Sequence, residues 1–201
     1  MGRGSLTTQV TNLFWDSCVI IRYLTGGNPY YQDIKQYLEE ARDGSVVIHA
    51  STVLMAEVKP SHLTASGYGD FADFLKDFEG AFSWIDPTPD ILQWCAAVRD
   101  FNYPNPAKDP GAKSRVLGLG DAIHLLSCVY AKEVLGVQDI VFHTMDDGKT
   151  RGAEGKCVPL LSFHKWVEGI PKNAHTPKIC ALPRHLPEHP APDLITRGSS
   201  A

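Results

Sequence analysis

Short apolar runs that end at polar residues predict the strands of a sheet. Leu13-Phe14-Trp15 leads directly into Asp16. Val46-Val47-Ile48 is β-branched and unbroken, as expected for a strand covered on both faces. The runs at Phe82–Ile85 and at residues 140–142 have the same character. The pattern therefore predicts four strands.

Apolar residues at helical spacing lie between these runs and predict helices. The clearest is at residues 30–43, where Gly44 is placed to end the helix. Ser51 or Thr52 is expected to cap a short helix that ends before Pro60. The predicted helices span residues 18–24, 30–43, 52–59, 71–78, 89–100, 121–135 and 162–168. Strands that alternate with helices indicate an α/β fold, in which a parallel sheet has helices on both faces.

Composition along the chain predicts one folded domain between two less regular ends. Residues 1–11 contain one Arg and no apolar core, which favours a flexible leader over a secretory signal. Residues 12–168 contain the predicted elements, together with a short strand at residues 158–161 and a long loop at residues 101–118. Six of the fourteen prolines lie in residues 169–201, which are predicted to form an irregular tail.

The overall composition is that of a globular protein, with 43% hydrophobic and 21% charged residues. No apolar run approaches the ~20 residues of a membrane span. The five scattered cysteines fit reduced thiols in a cytoplasmic protein better than disulfides or a zinc site. A net charge of −4 argues mildly against a nucleic-acid partner. Bound cations can supply the positive charge that phosphates need, so the net charge does not decide the question.

Four acidic residues are predicted to meet at one edge of the sheet. Asp16 follows the first strand and Asp146 follows the fourth, while Glu57 and Asp121 lie in helices that start from the same edge. Because ligands bind beyond the carboxyl ends of parallel strands, the four carboxylates are expected to share one crevice. Carboxylate oxygens suit Mg²⁺ or Mn²⁺, which can polarise a phosphoryl oxygen and activate water.

Each acid also has an alternative interpretation in which it binds no metal and takes no part in catalysis. Asp121 could be a helix N-cap, Glu57 could face solvent, and Asp146 could be a turn residue. Asp147 is the alternative to Asp146 as the fourth ligand. Asp16 is the hardest to explain in these terms, because it ends a buried apolar run where a carboxylate needs a partner.

The acids lie in segments that resemble the successive motifs of PIN-domain nucleases. The segments are Leu13-Phe14-Trp15-Asp16-Ser17, residues 52–58 with Glu57, Gly120-Asp121-Ala122-Ile123-His124-Leu125, and Phe142-His143-Thr144-Met145-Asp146. The resemblance covers roughly residues 13–166 and includes the order and spacing of all four acids. Among PIN-domain nucleases, these segments are most similar to the VapC-type toxins of bacterial toxin–antitoxin pairs. Its Thr-x-Asp pattern favours Asp146 over Asp147.

The resemblance implies a Rossmann-like α/β/α fold and an endoribonuclease that uses Mg²⁺ or Mn²⁺ at the four acids. It implies an RNA substrate and an antitoxin protein that blocks the site, and a homodimer is a further expected assembly. Ser17 and Thr144 match hydroxyl positions that orient carboxylates or waters. His124 and His143, beside the acids, are interpreted as core residues. Basic loop residues are candidates for phosphate binding, with ordinary solvated charges as the alternative: Lys113, Arg115, Lys149 and Arg151.

Two other functions fit the same residues. A structure-specific DNA nuclease would use the same acid cluster, and the sequence does not place the groups that would recognise a 2′-hydroxyl. A non-catalytic scaffold that keeps the fold and only binds RNA or protein is the other alternative. The complete set of four acids argues against the scaffold.

Overall fold

Five parallel strands form one sheet in the computed structural model, which describes residues 10–107, 111–148 and 157–190. The strands are β1 (Thr11–Trp15), β2 (Val46–Ser51), β3 (Phe82–Ile85), β4 (Val141–His143) and β5 (Arg184–His185). Their order is β3-β2-β1-β4-β5, and every neighbouring pair is parallel. The predicted parallel sheet is confirmed, with β5 as an additional strand at the β4 edge.

Helices cover both faces of the sheet. They are α1 (Ser17–Thr25), α2 (Tyr31–Arg42), α3 (Leu54–Glu57), α4 (Pro60–Ala65), α5 (Phe71–Asp77), α6 (Pro89–Arg99), α7 (Leu119–Glu133), α8 (Phe163–Trp166) and α9 (Thr176–Cys180). The buried side chains of α1, α2, α4 and α5 belong to one core cluster, and those of α6 to α9 belong to a second. The fold therefore has the three α/β/α layers that were expected.

Alternation along β1 explains why there are two clusters. Phe14 points towards α6 to α9, where its ring stacks on Phe142 at 5.5 Å between centroids, because the two residues are register partners. Leu13 and Trp15 point to the opposite face and pack in the other cluster. An apolar run that is buried on both faces thus ends directly at Asp16.

The segment after β2 differs from the prediction. Ser51 is the last residue of β2, and α3 starts only at Leu54. Glu57 is therefore the final residue of a short helix rather than a residue one to two turns inside a longer one. Pro60 was expected to follow the helix, but it is the first residue of α4. Proline suits that place because the first turn of a helix does not use its N–H groups.

The chain beyond α8 is also more regular than predicted. The expectation of an irregular tail is wrong for residues 176–185, where Ile179 of α9 is fully buried in the core and β5 pairs with β4. Residues 191–201, like residues 1–9 of the predicted leader, lie outside the described part of the chain. The strand expected at residues 158–161 is not found in the described residues, where this region contributes a single bridge between Val116 and Cys157.

The carboxyl ends of β1 and β4 lie where the chain changes direction across the sheet. β1, β2 and β3 follow one another to one edge, whereas β4 and β5 lie on the other side of β1. Ligands of open parallel sheets bind at such a point. The loops that carry Asp16 and Asp146 start here. Among the described residues, none of the helices has the length and apolarity needed to cross a membrane.

Candidate active site

Asp16 is a buried carboxylate with hydrogen-bond donors around it. It follows β1 directly and is 4% exposed. The Thr144 hydroxyl donates to Oδ2 of Asp16 at 2.8 Å, and the Cys18 thiol donates to the same atom at 3.0 Å. Ser17 Oγ makes a longer contact of 3.4 Å with Oδ1. These donors provide the partners that a buried carboxylate requires.

Thr144 and Cys18 also connect the loop after β1 to the loop after β4. Thr144 Oγ1 accepts a hydrogen bond from the backbone N–H of Asp146 at 3.1 Å, and Cys18 Sγ accepts one from Met145 at 3.1 Å. Burial and the charge of Asp16 raise the pKa of Cys18 well above its ordinary value, so this side chain acts as a thiol donor. Thr144 therefore lies beside the Asp16 carboxylate and hydrogen-bonds to it. The sequence suggested no role for Cys18, because a thiol is a weak hydrogen-bonding group.

Glu57 lies between His124 and the first turn of α7. His124 Nε2 is 2.9 Å from Oε2 of Glu57 and 3.7 Å from Oδ1 of Asp16. A Cβ atom at Gly120 would overlap Oε1 of Glu57, so glycine lets the carboxylate approach the helix backbone. Burial acts to raise the pKa of Glu57, but the hydrogen bond and charge of His124 and the Ser17 hydroxyl hold it below its ordinary value.

The two histidines beside the acids have different surroundings. His143 is a buried core residue as predicted, and burial together with the nearby His185 lowers its pKa to about 4. His124 is equally buried but contacts two acids, so the core interpretation misses its role. Burial lowers the pKa of His124, yet the surrounding carboxylates outweigh burial and raise it. The helical spacing of three residues from Asp121 is the sequence signal that could have identified it.

Asp121 is the third residue of α7 and lies against Gly118, which is the N-cap of the helix. The alternative that Asp121 itself is the N-cap is therefore wrong, because α7 begins two residues earlier than predicted. Burial and the charges of the other three acids raise the pKa of Asp121 to about 7, with His124 opposing them. All four predicted acids are thus close enough to interact.

Asp146 extends from the loop after β4 and both of its carboxylate oxygens accept backbone hydrogen bonds. Gly148 N–H donates to Oδ1 and Leu160 N–H donates to Oδ2, each at 3.1 Å. Burial raises the pKa of Asp146 in spite of these two bonds. Asp146 therefore organises a turn, as one interpretation proposed, and also lines the cleft. Asp147 is exposed.

A cleft of about 350 Å³ opens beside the acids, between α1 and the loops that follow β4 and precede α7. Its charged lining includes Arg22, Arg115, Asp121 and Asp146, and its apolar lining includes Ile21 and Met145. The cleft thus places both signs of charge and an apolar surface within one small volume.

Arg115 is one of the predicted phosphate-binding residues and lies at this cleft. Its guanidinium is 4.7 Å from the centre of the Trp166 ring, and Nη1 donates to the Cys157 carbonyl at 3.1 Å. Arg22 was not predicted to bind phosphate, because in the sequence an exposed arginine on a helix cannot be distinguished from an ordinary solvated charge. Lys113 is exposed on the loop before α7. The two other candidates, Lys149 and Arg151, lie outside the described residues.

The acids form two pairs with different surroundings. The inner acids, Asp16 and Glu57, both lie beside His124, whereas the outer acids, Asp121 and Asp146, line the cleft. In the described part of the chain, no three His, Cys, Asp or Glu side chains are already arranged to hold a metal ion. The donor set itself suits a hard divalent cation, because it consists of carboxylates and the outer acids have raised pKa values.

Comparisons with protein-family models, with curated proteins and with solved structures find no significant match to this chain. The geometry and charge of the acids, and the residues around the cleft, are therefore the evidence for function.

Proposed function

We propose that this protein is a divalent-metal-dependent endoribonuclease, which hydrolyses RNA phosphodiester bonds with Mg²⁺ or Mn²⁺ at the acidic site. The observation that carries the proposal is Asp121, whose pKa is raised to about 7 by burial and by the neighbouring carboxylates. Uncompensated negative charge beside an open cleft is what a bound cation would neutralise. The resemblance of the acid-bearing segments to PIN-domain nucleases supports the same function.

Asp121, Asp146 and Asp16 would hold the ion, with Glu57 beside them. When bound, the ion polarises a phosphoryl oxygen and lowers the pKa of water. The chain contributes the orientation of the ligands: Thr144 and Cys18 fix Asp16, and two backbone N–H groups fix Asp146. Mutation of groups that orient metal ligands typically costs about 10- to 100-fold in metal affinity or activity.

The arginines would bind the substrate. Arg115 is held by Trp166 and by the Cys157 carbonyl, and the guanidinium group has further N–H donors for a phosphate. Arg22 lines the same cleft from α1, so phosphates could be contacted from two elements. The cations lie where the backbone of a nucleic acid must approach the acids, which offsets the unfavourable net charge of −4.

A toxin controlled by an antitoxin protein is the form of this function that the resemblance supports. In that form, RNA enters the cleft and the antitoxin covers it, while a second copy of the chain is a further partner. A cytoplasmic location agrees with the cysteines, since Cys18, Cys95, Cys128 and Cys180 are free thiols.

The test is cleavage of matched RNA and DNA panels by the purified chain with Mn²⁺, with Mg²⁺ or with a chelator. We expect metal-dependent RNA cleavage that is lost in Asp16→Asn and kept in Asp90→Asn, an exposed acid on α6 that serves as the control. Circular dichroism verifies that both variants are folded. Cleavage of DNA alone would identify a DNA nuclease, and RNA binding without cleavage would identify a scaffold; either result contradicts the proposal.

A further inference from the structure

His124 places a polar side chain where the packing of α7 calls for an apolar one. The adjacent residues Ile123 and Leu125 are buried and apolar, and the His124 side chain is 1% exposed. A buried imidazole costs free energy unless its nitrogens are hydrogen-bonded. The contacts of this ring therefore indicate what it does.

The ring is directed at the inner acids through one nitrogen. Nε2 is 2.9 Å from Oε2 of Glu57, which is hydrogen-bond distance, and 3.7 Å from Oδ1 of Asp16. In the described residues Nδ1 has no hydrogen-bond partner, so the proton is assigned to Nε2. His124 thus donates to Glu57 and lies close to the carboxylate of Asp16.

Glu57 is restrained from a second side by the first turn of α7. Its Oε1 packs against Gly120 so closely that a Cβ atom there would overlap it. Oε2 is occupied by the N–H of His124. Glu57 cannot turn towards the cleft without losing the hydrogen bond, although its side chain is 34% exposed and has space to move.

Building on the proposed function, we propose that His124 is a positioning residue of the acidic site. It fixes Glu57 against the first turn of α7, on the side of the cluster where Asp16 lies. Held in this position, Glu57 would complete the set of four carboxylates around the cation, with Asp121 and Asp146 on the cleft side. His124 acts through Glu57 and contacts neither the substrate nor the ion.

The role predicts a defined loss of metal affinity. Removing a group that orients metal ligands typically weakens metal binding by about 10- to 100-fold. His124→Leu should show this loss, measured as the Mn²⁺ dissociation constant of the purified chain by titration calorimetry. His124→Gln should bind Mn²⁺ within about threefold of wild type, which is less than the 10- to 100-fold loss expected for His124→Leu. The reason is that the glutamine amide places an N–H donor near the position of Nε2.

A second variant removes the fixed position of Glu57 while keeping His124. Gly120→Ala forces Oε1 of Glu57 away and should weaken Mn²⁺ binding like His124→Leu. Alanine favours the helix at this position, so unfolding would not explain that result. His164→Leu, at an exposed histidine on α8, is the control and should bind Mn²⁺ like wild type.

The outcomes separate the two proposals. If wild type binds Mn²⁺ and cleaves RNA while His124→Leu and Gly120→Ala bind Mn²⁺ equally well, the positioning role is overturned and the proposed function stands. If wild type binds no Mn²⁺, the proposed function fails and the positioning role fails with it. Loss in His124→Leu with recovery in His124→Gln supports the role, since a loss of packing alone would not be restored by a polar side chain.

Discussion

Glu57 of α3 packs against the first turn of α7, and Asp121 belongs to that turn, but the pKa values of the two acids are shifted in opposite directions. Burial acts against the charge of Glu57, yet His124 and Ser17 hold its pKa below the ordinary value. Burial and the other acids raise the pKa of Asp121 to about 7. The inner side of the cluster is thus compensated by groups of the protein itself, whereas the outer side requires a ligand from outside.

This difference separates the two tasks of a metal site. Asp16 is fixed by Thr144 and Cys18, which also join the loops after β1 and β4, and Glu57 is fixed by His124. The outer acids lie at an open cleft beside Arg22 and Arg115, where a cation and a phosphate can both enter. Variants that act on one side of the cluster should therefore give different results from variants on the other.

The largest effect is expected from removing an outer acid. Asp121→Asn should lower the rate of metal-dependent RNA cleavage by more than about 100-fold, because loss of one preorganised charged contact at a reacting centre has an effect of this order. Initial rates at saturating Mn²⁺ measure it, with Asp90→Asn as the matched control. Equal rates for Asp121→Asn and wild type would remove the distinction between the two pairs of acids.

A second effect is expected on stability without metal. An acid with a raised folded-state pKa destabilises the fold as it ionises, so the free energy of unfolding should fall between its unfolded and folded pKa values. For Asp121 that window runs from 3.8 to about 7. The loss should be on the order of 2–4 kcal/mol. Chemical denaturation of wild type in chelator measures it, and Asp121→Asn should lack this loss.

Two neighbours determine the shape of the same profile. The raised pKa of His124 adds stability at low pH that is lost as the pH rises above its ordinary value of 6.5, so it acts in the same direction as Asp121. The lowered pKa of Glu57 adds stability that is lost as the pH falls below its ordinary value of 4.5. The lowered pKa of the buried His143 acts in the opposite direction, because it adds stability as the pH rises from about 4 to 6.5. The effect of Asp121 is therefore measured as the difference in the free energy of unfolding between wild type and Asp121→Asn, and a difference that does not change between pH 3.8 and about 7 would contradict the charge distribution.

A third effect is the stabilisation by Mn²⁺. A ligand that binds only the folded state at a hundredfold above its dissociation constant adds about 2.7 kcal/mol. The melting temperature of wild type should rise with Mn²⁺, and the rise should be smaller in the Asp16→Asn, Asp121→Asn double variant. Differential scanning fluorimetry across an Mn²⁺ titration gives the comparison, and identical curves for the two proteins would exclude a metal site at these acids.

The smallest effect is expected at the arginines. Arg22→Ala and Arg115→Ala should each weaken RNA binding uniformly across sequences, and should each reduce the slope of log affinity against log salt by about one. Binding of a labelled RNA at several salt concentrations measures this slope. Lys165→Ala, at an exposed residue on α8, is the control. An unchanged slope in both arginine variants would place the phosphates elsewhere.

The sheet could be predicted because its strands are apolar runs, and Leu13, Phe14 and Trp15 must be buried to form one. β5 could not be predicted in this way, since Arg184 and His185 are polar and the strand has only two residues. It is held in place by its neighbours, because Ile179 of α9 enters the core next to it. Tertiary packing determines this element, and local hydrophobic pattern does not reveal it.

The acids could be proposed as a site because strand ends and helix starts show which edge of the sheet they share. The hydrogen-bond partners of the acids could not be predicted, since periodicity places a residue on a face but does not give the direction of its side chain. Cys18 has the spacing of an ordinary buried residue, and the spacing of His124 from Asp121 does not show that its ring contacts Glu57 and Asp16. Arg22 is recognised only once α1 is seen to form a wall of the cleft.

The most direct test of the central claim is a crystal structure of the wild-type chain with Mn²⁺, with anomalous scattering used to locate the ion. We expect an anomalous peak in contact with the carboxylates of Asp121 and Asp146 on the cleft side, with Glu57 still hydrogen-bonded to His124. No peak at these carboxylates, at an Mn²⁺ concentration that saturates the protein in solution, would contradict it.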